Sequence, residues 1–266
     1  MSDNAFGPNG ATGVKPMLCT PAVYELEELL LNNCGLGVGG GVLIGEGLEQ
    51  MNKNIRAAGL KPKLKIFIAG RNRQEVGGSA ALAKGFKALG SLEEVTLHQN
   101  GITWKGAVAL AEAFKACPMR VINLNDNILT EKGAMAIADA VEVLEGLEIL
   151  DLGDCLVRSD GLKKLANALS GCYNIRELNF AFGEVRLDAA RELLDSIPLE
   201  QLERLDLNGN KFGDDGCDEI MDLVGDLVGN LDDDEGKLTY LKVHLKVDGP
   251  TEFKVDRPSE INFAPR

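Results

Sequence analysis

Between an apolar run and a stretch of helical character, residues 26–51 ("LEELLLNNCGLGVGGGVLIGEGLEQM") carry Gly35-x-Gly37-x-x-Gly40. Glycines at this spacing could cradle a pyrophosphate, with free backbone N–H groups at the start of a helix. Two features speak against that chemistry. Three residues separate Leu31 from Gly35, where the tight turn should follow the strand at once, and the next strand-like run, "LKIFIAGRNR", ends in Arg71 and Arg73 rather than in an acid for a ribose hydroxyl. Other reactive groups are sparse. The six cysteines (19, 34, 117, 155, 172, 217) are scattered without a C-x-x-C pair, and the two histidines, His98 and His244, lie far apart. These residues suggest no metal site, no disulfide framework and no paired nucleophile and base. They call for no bound cofactor.

The elements that carry the glycines explain them better. A frame L-x-x-L-x-L-x-x-N/C recurs along the chain, ending at Cys34, Asn72, Asn100, Asn127, Cys155, Gly183 and Asn210. The end position advances by 38 residues, then by 28, 27, 28, 28 and 27. Such a period means an α/β leucine-rich-repeat solenoid, with a parallel sheet inside and helices outside. Six residues past each frame stands Gly40, Gly78, Gly106, Gly133, Gly161, Ala189 or Gly216, and a helical stripe such as Ala107, Leu110, Ala111, Phe114 follows. Gly40 therefore belongs to a column in which a residue lacking Cβ lets the helix start approach the strand below it. The first interval is about ten residues longer than the rest. Its extra length lies near "MNKNIRAAGLKPKLK", whose Lys53, Arg56, Lys61, Lys63 and Lys65, close in sequence to Arg71 and Arg73, suggest a basic patch.

The repeats are expected over residues 1–231, followed by a short acidic segment and tail over 232–266. "SDNAFG" has the look of the end of a repeat, with Asn4 in the frame's final position, so the chain is expected to begin mid-repeat and to lack upstream repeats. "KLTYLKVHLKV" alternates like an edge strand, and "DGPTEFKVDRPSEINFAPR" reads as a poorly structured tail. The net charge of −13 argues against nucleic acid and anionic membrane as main partners, and no run of about 18 apolar residues suggests membrane insertion. A reducing, cytoplasmic setting is expected.

The frame's last position, at Asn4, Cys34, Asn72, Asn100, Asn127, Cys155 and Asn210, should bond to backbone groups in the bend after each strand. The residue before it should point outward on a rim: Asp3, Asn33, Arg71, Gln99, Asp126, Asp154, Phe182 and Gly209. The first six are polar, of mixed sign, and gathered toward one end, as a protein-binding edge would be. The repeats alone fit equally a non-catalytic leucine-rich-repeat scaffold.

The strings "SDNAFGP", "LNNCGLGVGGG", "FIAGRNR", "HQNGI", "VINLNDN-x-x-TEKGA", "GDCLVRS" and "LDLNGN" resemble the Ran GTPase-activating protein family from residue 2 to about 230. The resemblance implies a ribonuclease-inhibitor-like crescent that acts in the cytoplasm and at the outer nuclear envelope. It implies a regulator of GTP hydrolysis, without a self-contained active site, whose partner is Ran in its GTP form, alone or with a Ran-binding protein. Mg and GTP would belong to that partner. Such a protein inserts no arginine finger but orients the GTPase's own glutamine. On the matching positions, Asn33 takes the catalytic place, and Asp3, Arg71, Arg73, Gln99, Asp126 and Asp154 the surrounding contacts. The arginine-bearing loop that this family carries upstream of "SDNAFGP" has no counterpart in this sequence, and the acidic run is reduced to Asp232, Asp233, Asp234 and Glu235. A form that binds Ran without activating it is the alternative within the family.

Overall fold

A computed structural model describes residues 1–198, 201–229, 240–246 and 249–253, the last two stretches and 226–229 by backbone alone. After helix α1 (Gly7–Leu18), strands and helices alternate: β1 (Glu28–Leu30), α2 (Gly37–Ala57), β2 (Ile66–Ile68), α3 (Glu75–Leu89), β3 (Glu94–Thr96) and α4 (Trp104–Phe114). Then come β4 (Val121–Asn123), α5 (Thr130–Val141), β5 (Ile149–Asp151), α6 (Arg158–Leu169), β6 (Glu177–Asn179), α7 (Leu187–Ser196), β7 (Arg204–Asp206) and α8 (Gly213–Gly229). Every frame read from the sequence supplies one strand, and β1 to β7 pair in parallel, each with its successor. The fold is a leucine-rich-repeat solenoid. Its sequential strand order has no reversal at which a dinucleotide would sit.

One register runs through the ladder. The middle residues Leu29, Phe67, Val95, Ile122, Leu150, Leu178 and Leu205 face each other in turn, and all are buried. They meet the helix stripes, such as Ile44, Leu48, Met51 and Ile55 of α2, in one continuous core. Two residues past the frame comes a further core column: Leu36, Ile102, Leu129, Val157, Val185 and Phe212. Gln74 occupies this column in the second repeat. It is fully buried, and neither polar atom of its amide has a hydrogen-bond partner among the described residues. An unpaired buried amide costs about 1–3 kcal/mol. Gln74→Leu is therefore expected to raise stability by about that amount, read as a higher urea midpoint at unchanged slope; an unchanged or lower midpoint would show that the amide is satisfied.

The glycine column has a different neighbour from the one expected. A Cβ on Gly40 would lie 2.9 Å from the Leu36 Cβ and 3.5 Å from Ala11 of α1. On Gly161 it would lie 3.0 Å from Ala134 of α5 and 3.4 Å from Val157. The missing side chain lets each helix start close on the preceding helix and on its own core-column residue, not on the strand beneath. Between α2 and α3 the approach is closer still, since a Cβ on Gly45 would come within 2.4 Å of the Ala81 carbonyl oxygen.

The extra length of the first interval is helical: α2 has 21 residues where α4 has 11. This corrects the reading of one basic patch. Lys53 and Arg56 lie near the end of α2, and Lys61, Lys63 and Lys65 lead into the start of β2, whereas Arg71 and Arg73 follow its far end. Six residue steps along the strand and its exit, about 20 Å when extended, separate Lys65 from Arg71, so the two groups lie at opposite ends of the strands. Lys63 is paired with Glu25, and Lys65 with Glu93 at 3.2 Å.

At the edge where strands begin, the residue before each strand alternates in sign: Glu27, Lys65, Glu93, Arg120, Glu148, Arg176, Glu203. Backbone hydrogen bonds of 2.7–2.8 Å link these positions in order. Arg120 sits between Glu93 at 3.7 Å and Glu148 at 2.8 Å.

Past α8, β8 (Tyr240–Lys246) joins β7 in parallel, and β9 (Gly249–Phe253) returns antiparallel to it. The run read as an edge strand is thus covered, and part of the stretch read as unstructured is itself the edge. The acidic segment 232–235 and residues 254–266 lie outside the described residues.

Candidate functional site

Three residues past the end of each strand, the chain turns away from the sheet. It does so by a left-handed backbone at the rim position: Asp3 (φ 60°), Asn33 (50°), Arg71 (58°), Gln99 (53°), Asp126 (53°), Asp154 (51°), Phe182 (53°) and Gly209 (68°). The conformation is mildly costly for side chains other than glycine, less so for Asn and Asp. It is held by the next repeat. Arg71 N–H donates to the His98 carbonyl at 2.9 Å, Gln99 N–H to Asn125 at 3.0 Å, Asp126 N–H to Gly153 at 2.9 Å and Asp154 N–H to Ala181 at 2.7 Å. Four of the eight loops return to the left-handed region both two and four residues on, and the other four at one of these positions, even at the β-branched Thr130 (φ 57°).

Beneath the rim lies the asparagine ladder. Asn72 Nδ2 donates to the carbonyls of Leu31, Ala69 and Gly70, and its Oδ1 accepts from the N–H groups of Cys34 and Leu36. Asn100 Nδ2 donates to Ala69, Leu97 and His98, while its Oδ1 accepts the Asn72 N–H at 3.0 Å. Asn127 Oδ1 in turn accepts from Asn100 and Ile102. Asn210 Nδ2 reaches the Phe180 and Leu207 carbonyls, and Asn4 Nδ2 those of Met1 and Ser2. The thiols at the cysteine positions donate likewise, Cys155 to Leu124 at 3.0 Å and Cys34 to Met1 at 3.2 Å. These contacts also occupy the fingerprint glycines' loop: Gly37 N–H is bonded to the Asn72 carbonyl at 2.8 Å rather than turned toward a phosphate.

Held by this ladder, the rim side chains link to one another. Asn33 Nδ2 donates to Asp3 Oδ1 at 3.1 Å. Arg71 Nε donates to Gln99 Oε1 at 2.6 Å, and Gln99 Nε2 donates to Asp126 Oδ2 at 2.6 Å. One open groove is lined by Asn33, Gly35, Arg71, Arg73 and Gln99, and the next by Gln99, Asp126, Ile128 and Asp154. The two grooves share Gln99. The relay fixes the Gln99 amide with its oxygen toward the cation and its nitrogen toward the acid. Farther along, Glu184 pairs with Arg158 at 3.2 Å and with Lys211 at 3.4 Å.

On the sheet face below the rim, His98 lies over Gly70, where any Cβ would clash with its ring. Burial first, and the Arg71 charge second, hold the imidazole below its usual pKa. Asp151 Oδ1 accepts from Gly153 N–H and Asn125 Nδ2, each at 3.1 Å, yet burial raises its carboxyl above the usual range and Asp206 adds to the rise. A carboxyl raised on folding contributes its stability below the unfolded pKa, near 3.9, and that contribution is lost as pH rises through the folded value. Asp151→Asn keeps the accepting oxygen and removes the charge. The variant should unfold at a higher temperature than the parent at pH 7, with the difference vanishing below about pH 3; an equal difference at both pH values would contradict this.

Sequence reasoning missed a neighbouring group. Trp104, at the start of α4, is 39% exposed, and the ammonium groups of Lys105 and Lys132 each stand 5.6 Å from its ring centroid. The signal available was the chain's single tryptophan, followed at once by a lysine. Among the described residues no three His, Cys, Asp or Glu side chains gather as a metal site, and no helix is long and apolar enough to cross a membrane.

Comparison with known proteins decides the family. A leucine-rich-repeat family model matches residues 201–221. Over 242 residues, 88% of the chain, it is 45% identical to Ran GTPase-activating protein 1 of Xenopus laevis. The chain is a leucine-rich-repeat relative of the Ran GTPase-activating proteins. It is also 39% identical over 83% of its length to the Ran GTPase-activating protein of Drosophila melanogaster, and 30% identical over 84% to Ran GTPase-activating protein 1 of Saccharomyces cerevisiae. It spans about two fifths of the Xenopus and Drosophila relatives, 42% and 38%, and 56% of the yeast one. These relatives are named as activators of a GTPase, that is, as regulators.

Proposed function

We propose that the chain stimulates GTP hydrolysis by the small GTPase Ran, engaging its GTP form through the rim from Asp3 to Asp154. The observation that carries this reading is the 45% identity to Ran GTPase-activating protein 1 over 88% of the chain. Hydrolysis of GTP needs positioning and charge stabilisation more than covalent chemistry, and a rigid amide edge is suited to that. In this reading Asn33 touches the partner's reacting groups. One Nδ2 bond to Asp3 leaves its carbonyl oxygen and second N–H to receive and orient a glutamine amide. Arg71 and Arg73, together with Gln99, Asp126 and Asp154, supply the charged contacts around it, with a Ran-binding protein as a further member of the assembly. No arginine of the chain enters the nucleotide site, and the partner brings GTP and its Mg. The setting is the cytoplasm and the outer nuclear envelope, and a net charge of −13 disfavours nucleic acid and anionic membrane as partners.

Single-turnover hydrolysis by GTP-loaded Ran, with and without the chain, tests the reading. A rate that rises saturably with the chain's concentration is expected. Saturable association with no rise in rate would leave a binding scaffold in its place.

A further inference from the structure

Of the ten large apolar side chains that stand exposed among the described residues, three belong to one place: Trp104, Val108 and Ile128 (39%, 41% and 52% exposed). Ile128 pairs with Thr103 through an isolated parallel bridge, and the Trp104 Cα lies 3.3 Å from where a Gly133 Cβ would stand, so the α4 and α5 starts are packed together. Ile128 also lines the groove that holds Gln99, Asp126 and Asp154, so the patch continues the rim outward.

Its charge is unusual for this molecule. Lys105 and Lys132 share one indole, each 5.6 Å from its centroid, and neither has a carboxylate within ion-pair distance among the described residues. Other helix cations are mixed: Lys15, Lys163, Lys164 and Arg191 pair with Glu46, Asp188, Asp139 and Glu219, while Lys53, Lys84 and Lys87 have no carboxylate within ion-pair distance among the described residues. What sets Lys105 and Lys132 apart is that both stand at one ring. Two ammonium groups at one ring repel each other, and an aromatic face offsets only part of that at an exposed site. A carboxylate set between them would relieve the repulsion, while an apolar side chain beside it would cover Trp104 and Ile128. A long polyanion is disfavoured by the net charge of −13 and by Asp126 and Asp154 close by.

We propose that Trp104, Lys105, Ile128 and Lys132 form a second docking point for the protein partner, taking a loop that carries a carboxylate next to an apolar side chain. The proposal rests on the rim being the partner-binding edge. It extends that edge outward from the amides to the helix starts and makes the lysine pair a determinant of association rather than of rate.

The chain's single tryptophan gives the test. With 5-fluorotryptophan incorporated, the full chain has one fluorine resonance. It is followed while Ran bound to a non-hydrolysable GTP analogue is added, with sedimentation as an independent measure of association. The resonance should shift saturably, and Lys105→Glu with Lys132→Glu should weaken association at least tenfold, with the saturated hydrolysis rate unchanged. Association with the resonance unmoved, or with the double variant binding as the parent does, overturns the proposal. If sedimentation shows no association at all, the Ran reading fails separately, and a synthetic peptide alternating glutamate and leucine decides the docking chemistry. A saturable shift lost in the double variant supports it, and no shift overturns it. A resonance that moves in the chain alone when Asp232, Asp233 and Asp234 are changed to Asn assigns the occupant to the chain's own acidic segment and overturns the assignment to a partner.

Discussion

Asn33→Ala lowers the saturated rate of GTP hydrolysis on Ran by about 10²–10³ and leaves association nearly intact. The size is that of removing one well-placed donor that acts on a transition state, and the pattern is that of an interaction made mainly there. The physical case is the setting of the side chain. Asn33 stands on a left-handed backbone at φ 50°, with its N–H bonded to the Gly70 carbonyl at 2.9 Å, and its amide is turned by Asp3. It is exposed but hydrogen-bonded to Asp3, which presents its free oxygen and second N–H to a partner's group. Arg71→Ala is the contrast. Its guanidinium is held by Gln99 at the edge of the same groove and offers a charge to the approaching partner. Losing it should slow association and flatten its salt dependence, with little change in the saturated rate. Hydrolysis at the parent's rate by the Asn33→Ala chain under saturation would reduce the rim amide to a contact.

The largest loss of stability is expected at Asn100, by about 3–5 kcal/mol for Asn100→Ala. The side chain is fully buried and makes four hydrogen bonds, two to its own repeat and two to the preceding one. The carbonyls of Ala69 and Leu97 retain the Asn72 and Asn127 amides, and that of His98 retains the Arg71 N–H. The Asn72 N–H has its bond to Asn100 and no other among those described, so it becomes the orphan. Asn100→Cys should cost less, because a cysteine sulfur is a weak acceptor for the orphaned N–H, as Cys155 is for the Asn127 backbone. Urea denaturation of the two variants checks the order. A loss below about 1 kcal/mol for Asn100→Ala would mean that the ladder contributes little beyond burial.

The strands were legible because leucines at fixed spacing have only one inward face to fill, and the ladder asparagines mark where that face ends. The rim was legible as a column of polar letters. Its linkage was not, because a relay from Arg71 through Gln99 to Asp126 depends on residues 27 and 28 positions apart lying side by side on neighbouring strands. Left-handed loops were hidden for another reason. Leu156, Arg158 and Thr130 have no local preference for that conformation, and the neighbouring repeat imposes it. The misplaced basic patch came from treating nearness in sequence as nearness in space, when a strand carries Lys65 and Arg71 to opposite ends. Trp104 escaped notice because its column is mixed, with Val38, Val76, Glu131, Ser159, Leu187 and Asp214 at the matching positions. The strand at Gly249–Phe253 did so because glycine and proline in its sequence outweighed a pairing that only β8 supplies.

The alternating charges at the strand starts have a consequence for how such a chain can change length. Glu27, Lys65, Glu93, Arg120, Glu148, Arg176 and Glu203 form a series in which each sign meets its opposite. Excising one repeat would bring Lys65 beside Arg120, or Glu93 beside Glu148, while excising two restores the opposition. A strand that skips its neighbour during folding meets the same mismatch. The series therefore has a parity: shortening, duplication and recombination of these repeats are compatible with it in pairs, and an odd step leaves like charges side by side on one edge.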